Sequence, residues 1–455
     1  MTLPWTGQSL AQQTTELLRE MIQNQAVNDG TPDSGHEIRQ VRTLQTFFER
    51  SGLDGAVVEP HPGRGNLIVR IPGTEPSAPS LCLLGHTDVV PVEPAGWHRD
   101  PFAAELVGDV LWGRGAIDML DLTAAYAVVT RAVATSGFRP RGDLVFAAVA
   151  DEENAGVYGA GWLTENDFDL VKADFVLTES GGAPTGAPPR VGVMVGEKGM
   201  APVTLHITGR PGHGSAPWGS QSALVIAAEV VTRLSAYRTP TVISPQWRAY
   251  ADTLEVDADT REALKDPDRI YGAFEATGLL AGYAHASTHT TITPTVIRSG
   301  KKYNVIPGEA SVRIDIRALP GVTPDDIEGY LRDAIGDLLP HVRIEAGGFT
   351  DSTLSPTDTP LFETLRGAVK RARPDADLLP ILGAGGTDGR FFRERGIPAY
   401  GFGVLSDRWD YGTFRTLFHG HNERIDLDSI ALTVTALDHV VHDFLGTDRG
   451  LRIAR

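Results

Sequence analysis

The chain reads as an α/β protein: a domain with a largely parallel mixed sheet flanked by helices, interrupted by an inserted α+β domain. Three observations predict this. Apolar, strand-like runs alternate with helical stretches up to residue 198, the pattern changes to half-exposed alternating strands over 199–351, and the first pattern resumes from 352. The 455 residues also exceed the length at which one core stops growing. Residues 1–198 and 352–455 are therefore read as one domain, and 199–351 as the insert.

The elements follow in order. Ile38, Val41, Leu44 and Phe47/Phe48 recur at helical spacing over 34–50, with Ser34 a candidate cap and Glu37 three residues on. Apolar runs at 66–71, 80–85, 143–150 and 173–179 read as strands, and the small-residue stretch 118–135 as a helix among them. In the insert, 201–208 alternates as a half-exposed strand, a helix follows around 220–236, and strands recur at 291–297 and 309–317. Thr323-Pro324-Asp325-Asp326 starts a helix running to about Leu339, because a cap, a proline at the first position and first-turn acids coincide. A strand at 341–346 closes the insert, and a helix at 359–372, a strand at 378–382 and a helix at 426–445 complete the first domain.

Composition narrows the function. A net charge of −17 argues against nucleic acid or an anionic membrane as partner. The single cysteine, Cys82, lies inside an apolar run, so it builds neither a disulfide nor a thiolate cluster and reads as core. The first nine residues, Met1 to Ser9, have no basic region followed by a long apolar one, and no stretch approaches the roughly 20 apolar residues of a membrane span. A soluble, cytoplasmic protein is expected.

Ligand-type residues gather at the strand ends. His86 and Asp88 close the run 80–85, and residues i and i+2 of an extended chain share a side. A carboxylate behind an imidazole orients a metal-ligating histidine, although such a pair is more often structural. Gly113-Arg-Gly115-Ala-Ile-Asp118 puts an acid at a helix start, where a cap is the simpler role; a dinucleotide loop is excluded by the missing third glycine. Asp151-Glu152-Glu153 follows the strand 143–149, Glu179 ends the strand 173–178, and Phe418-His419-Gly-His421-Asn-Glu423 precedes the last helix. Each cluster alone also fits solvated acids or loop residues. Their order points to one edge of a parallel sheet, where His86, Glu152/Glu153 and Glu179 converge, and a thiolate-free donor set suits zinc, with cobalt or manganese as alternatives. Five ligands with one bridging carboxylate describe a two-metal hydrolase. Ser180 is no serine nucleophile, since Glu-Ser-Gly-Gly lacks the elbow glycine two residues upstream.

These blocks carry a resemblance. Gly-His-Thr-Asp-Val-Val-Pro at 85–91, Trp97–Pro101–Phe102, Trp112-Gly-Arg-Gly-Ala-Ile-Asp118, Asp-Glu-Glu at 151–153 and His-Gly-x-Asn-Glu at 419–423 resemble the M20 family of metallopeptidases and deacylases along nearly the whole chain. The resemblance implies metal ligation by His86, Asp118, Glu153, Glu179 and His419, with Asp118 bridging, His86 and Glu179 on opposite ions, and Glu153 joining His419. It implies that Asp88 clamps His86, that Glu152 is the general base, and that a cis peptide follows Asp118. It selects His419 over His421, because the family's ligand lies four residues before the closing glutamate. It makes the insert a lid and dimerisation domain whose His213 stabilises the oxyanion, across a homodimer in many members. Asn304 and Arg317 would hold the substrate's carboxylate, and Gly386 and Thr387 would contact substrate beside the site. The implied activity is hydrolysis of an amide in a small substrate, first a dipeptide or carboxypeptidase substrate and alternatively an N-acyl amino acid. A non-catalytic binding protein is disfavoured because every ligand and the base are present.

Two departures stand out. The family commonly has Met-Lys after its bridging aspartate, where this chain has Met119-Leu120-Asp121. The interval from His213 to Asn304 is also long, and its polar run around Trp247–Asp268 reads as a flap, an interface element or neither.

Overall fold

The computed structural model describes residues 9–446, so most of the segment read for leader signals lies outside the described residues. The expected mixed sheet is present. Its centre is four parallel strands in the spatial order Leu144–Val149, Leu81–His86, Phe175–Thr178 and Ala399–Gly401. Asn66–Ile71 and Ala56–Val58 extend one side antiparallel, and Arg190–Glu197 flanks the other, carrying Asp377–Gly383 in parallel and Gly181–Thr185 and Thr353–Leu354 antiparallel.

Leu81–His86 and Leu144–Val149 are buried at every position, because helices cover both faces of a parallel sheet. The period of two decides which side each residue serves. Leu81 and Leu83 join the core beneath Leu10–Gln23, Leu120–Ser136 and Leu427–Gly446, while Cys82 and Leu84 join the core against Ala160–Asn166 and Gly389–Arg393. Burial pushes the Cys82 thiol up to about 12, as suits an inert core residue. Gly85 lets the helix Leu120–Ser136 close onto the strand end: an added Cβ would stand 2.4 Å from the Thr123 hydroxyl, which itself donates to the His86 carbonyl at 2.8 Å.

The second sheet is antiparallel and five-stranded. Glu309–Ala318 lies between Val203–Thr208 and Thr291–Ser299, with Val342–Ala346 beyond Val203–Thr208. Its strands alternate buried with exposed, and Ala223–Ala236 and Pro324–Ile335 cover the buried face. The Thr323 cap forms as expected, with Asp326 returning the bond to its backbone; the α-helix stops at Ile335, where Gly336 takes φ 60°. The two crossings between the sheets run side by side, pairing Met200 with Thr350 and Glu197 with Thr353.

Three local readings change in three dimensions. The helix expected from Ser34 begins at Ile38, because the Glu37 carboxylate turns away to Arg64. The helix Leu10–Gln23, closed by a Ser9–Gln12 capping box, adds to the expected set. The run around Trp247–Asp268 is not a solvated flap. It folds as Pro245–Ala251 and Ala258–Ala263, and buried Trp247, Tyr250, Leu264 and Phe274 join the core of the larger sheet.

Arg64 is wholly buried, donating to Glu37 through Nε and Nη2 at 2.8 and 2.7 Å and to Asp151 at 2.7 Å. Removing one member of such a network strands the others in a dry interior. Arg64→Met is expected to lower unfolding stability by about 3–5 kcal/mol in urea titrations, and a loss below about 1 kcal/mol would refute the network's structural weight.

Candidate metal centre

The carboxyl edge of the parallel strands is where the ligand-type side chains meet. His86 ends its strand, and register places it beside Val149, so the turn Glu152–Asn154 begins just beyond it. Glu179 leaves the neighbouring strand at the same edge. Asp118 stands on the turn before Leu120–Ser136, followed by the cis peptide Asp118–Met119.

The geometry has two halves joined by Asp118. Its Oδ1 lies 3.2 Å from His86 Nε2 and its Oδ2 lies 3.2 Å from His419 Nε2. Glu153 Oε2 is 3.1 Å from the same His419 nitrogen. Glu179 Oε2 and Glu152 Oε2 stand 3.9 and 4.0 Å from His86 Nε2. His86 and Glu179 therefore occupy one half, which overturns their expected division between opposite ions. His421 points elsewhere: its Nε2 is 3.7 Å from Glu93, and its ring covers Gly96, where an added Cβ would collide at 2.3 Å.

The ring of His86 is oriented by backbone. Its Nδ1 donates to the Asp88 carbonyl at 3.0 Å, which turns Nε2 toward the cluster. The Asp88 carboxylate is 3.5 Å from Nδ1 and does more elsewhere: it accepts from the backbone N–H of Glu152 at 3.2 Å and of Glu153 at 3.1 Å, and from Asn28 at 2.9 Å. Asp88 thus positions the Glu152–Glu153 turn as well as the histidine. The turn needs such anchors because Asp151 and Ala155 on either side of it take φ 67° and 73°.

Sequence reasoning missed the outer supports. Glu423 accepts from Arg114 at 2.7 Å and from the backbone N–H of Ile117 and Asp118 at 2.8 and 3.2 Å. Arg114 also donates to the Gly420 carbonyl at 3.1 Å, so one ion pair ties the His419 loop to the Asp118 turn. Both residues lie inside blocks already singled out, which was the available signal. Asn28 and Arg64 carried none, since their partners are distant in sequence. Asp388, beside Thr387, is buried with Oδ2 unpaired.

Electrostatics explain why the cluster needs cations. Burial raises the Glu152 and Glu179 carboxyls well above the usual range; the Glu179 charge adds to the effect on Glu152, while His86 offsets part of it on Glu179. Burial and the Asp118 charge raise Glu153, whose Oε1 is left without a partner. Burial works against ionisation of Asp118, but hydrogen bonds from His419 and His86 overcome it and hold Asp118 low. His419 is pushed up to about 10 by its bonds to Asp118 and Glu153. Without ions the cluster must hold protons. The ligand atoms of His86, Glu152 and Glu179, and those of His86, Asp118 and Glu153, lie within 4.8 Å of one another, so the donor set fits divalent cations.

A cavity of 590 Å³ opens onto the cluster, lined by Asp118, Glu152, Glu153 and Glu179, by Arg317 from the second sheet, and by Gly386 and Thr387. The Thr387 hydroxyl donates to Glu197 at 2.7 Å, beside the crossing between the sheets. His213 and Asn304 are not brought there. His213 is exposed on a short pair of strands, Gly212–His213 with Val305–Ile306, where its Nδ1 contacts the Ser215 hydroxyl at 2.7 Å, and half-buried Asn304 immediately precedes the second strand.

Residues 82–443 match the model of peptidase family M20/M25/M40. The chain belongs to this family. It is accordingly a metal-dependent amide hydrolase. The mouse aminoacylase-1 is 29% identical over 404 residues, covering 87% of each chain, and the human aminoacylase-1 is 28% identical over 407 residues, covering 85% of this chain and 88% of its own. The human N-fatty-acyl-amino acid synthase/hydrolase is 24% identical over 418 residues, 88% of this chain and 80% of its own. The M20 metallo-carboxypeptidase of Sulfolobus solfataricus superposes with a TM-score of 0.70 at 19% identity, covering 96% of this chain and 99% of its own; human carnosine dipeptidase 1 gives 0.67 at 14%, with 96% and 97%. These two show the shared fold. Among the described residues of this family member, no helix is long and apolar enough to cross a membrane.

Metal binding must expel the protons that burial forces onto the carboxyls and that the neighbouring carboxylates hold on the imidazoles. Affinity for zinc is therefore expected to rise with pH, by about tenfold or more per pH unit in chelator competition near neutrality; a flat profile would contradict the protonated cluster. His419→Ala is expected to lose one of two ions by elemental analysis and His421→Ala none, and equal loss would reverse the choice of ligand.

Proposed function

We propose that the protein hydrolyses the amide bond of an N-acylated α-amino acid, using two divalent ions, zinc before cobalt or manganese, held by His86, Asp118, Glu153, Glu179 and His419. One observation carries the choice of substrate. Among the described residues lining the cavity, every carboxylate belongs to the cluster, and the remaining charged side chains apart from His419 are Arg317, Arg390 and Arg415. A free α-ammonium has no acid of its own to meet, whereas a neutral acyl amide with a free carboxylate suits this lining. The aminoacylase relatives support the same reading. A dipeptide or carboxypeptidase substrate, expected first from sequence, becomes the alternative.

When bound, divalent ions at this site polarise the amide carbonyl and make water more acidic. Glu152 is the general base. Its carboxylate lies at the cluster's edge and is raised by burial, so it takes a proton from the attacking water and returns it to the leaving amine. Arg317, paired with Asp315 at 2.8 Å, holds the substrate carboxylate at the cavity wall. His213 and Asn304 act in a homodimer: His213 is exposed on a separate two-stranded pair, Asn304 precedes its second strand, and both are absent from their own chain's cavity lining, so they serve the site of a second copy, where the imidazole stabilises the oxyanion.

Glu152→Gln is expected to keep both ions and lose about 10²–10⁴ in kcat; near-normal turnover would remove Glu152 as base. Mixing inactive Glu152→Ala with inactive His213→Ala is expected to restore activity through hybrid dimers, and no recovery under subunit exchange would overturn the action of His213 across the dimer. The substrate is decided by mass spectrometry on N-acetyl amino acids against dipeptides of matched size. Faster cleavage of the dipeptides would overturn the acyl reading.

A further inference from the structure

Arg415 projects from Tyr411–Leu417 into the lining of the metal cavity. Of the other two guanidinium groups there, Arg317 pairs with Asp315 at 2.8 Å, and Arg390 donates to the Ala155 carbonyl at 2.8 Å while its Nε is left without a partner. Arg415 differs. It lies over the rings of Tyr283 and Tyr411, 5.0 and 5.8 Å from their centroids, and among the described residues no carboxylate pairs with it and no oxygen accepts its hydrogen bonds. A half-buried guanidinium has five N–H donors and a fixed charge, and aromatic faces satisfy neither fully.

Its support is built by the interval between His213 and Asn304. Tyr283 belongs to the helix Ala281–Thr288 and packs edge-on to Tyr411 and Tyr250, with centroids 5.1 Å away in each case, while Trp247 stacks on Tyr250 at 5.9 Å. All four rings are buried. This aromatic stack fixes the face on which Arg415 rests and so holds the charge toward the cavity. Met194, Met200, Ile381, Phe414 and Phe418 contribute apolar surface to the same cavity. An unneutralised cation in a cavity with apolar surface, apart from the arginine proposed for the backbone carboxylate, is the arrangement that selects a second anion at the end of an apolar group.

Resting on the acyl-amino-acid reading above, we infer that Arg415 is a specificity-determining residue that binds a second carboxylate of the substrate. The preferred substrate is then dianionic, its second carboxylate standing either at the far end of the acyl chain or on the amino acid's side chain. In both cases the chemistry recognised is the same: a carboxylate received by a guanidinium that aromatic faces have already oriented.

The test uses the full-length, metal-reconstituted enzyme and two isosteric pairs. N-succinyl-alanine is compared with its terminal amide, and N-acetyl-glutamate with N-acetyl-glutamine, by kcat/KM. The wild type is expected to favour the acid by about 10-fold or more in one pair, and the pair that responds identifies the source of the carboxylate. In Arg415→Gln that ratio is expected to fall toward one, and in Arg415→Lys to lie between. No acid preference in either pair, or an unchanged ratio in Arg415→Gln, overturns the inference. If none of the four compounds is cleaved, calorimetric binding of the same compounds to the metal-loaded protein separates the two failures. Acid-selective binding that Arg415→Gln abolishes keeps Arg415 and rejects the reaction class, whereas equal binding of acid and amide rejects Arg415.

Discussion

Four carboxylates and two imidazoles crowd one edge of an apolar sheet, with only His419 well exposed, and that crowding is the constraint on which the rest of the structure depends. Asp118, Glu152, Glu153 and Glu179 repel one another in a medium that solvates none of them. Protons or cations must neutralise them, and the surrounding framework must stop the ligands from turning out to water. The framework does so with fixed dipoles and paired charges. The Asp88 carbonyl points His86, the Asp88 carboxylate gathers the Glu152–Glu153 turn, and Glu423 with Arg114 joins the Asp118 turn to the His419 loop.

The same logic extends one layer further out. Arg64 neutralises Glu37 and Asp151 beneath the turn that carries Glu152, so the placing of the residue proposed as base depends on a buried ion network outside the cavity. Across the cavity, Glu197 receives Thr387, Thr353 and Arg393, which joins the crossing into the second sheet to the loop beside the site. The long segment 245–288 braces the opposite wall through its aromatic stack.

Much of the cluster was legible in the chain because its members are strand-end residues. His86, Glu152, Glu153 and Glu179 follow apolar runs, and parallel strands bring their carboxyl ends to one edge whatever the loops do. The choice of His419 over His421 came from the family resemblance, and in the structure His419 reaches Asp118 and Glu153 while His421 packs on Gly96. The pairing of ligands was not legible. His86 and Glu179 were expected apart and stand 3.9 Å from each other, because adjacency in a sheet follows strand order, and the strand Phe175–Thr178 lies directly beside Leu81–His86.

By itself, the sequence determined the alternation of elements, the burial of both sheet faces and the donor types at the edge, since all three follow from local hydrophobic period and side-chain chemistry. Tertiary structure alone decided that Glu37 would meet Arg64 rather than cap its helix, that Trp247 and Tyr250 would enter the larger core, and that Arg415 would lie on Tyr283. It also decided that His213 and Asn304 would stand away from their own chain's cavity. The physical reason is common to all of them. Each contact joins residues far apart in sequence, and its free energy depends on which surfaces are desolvated together, a quantity that no local pattern encodes.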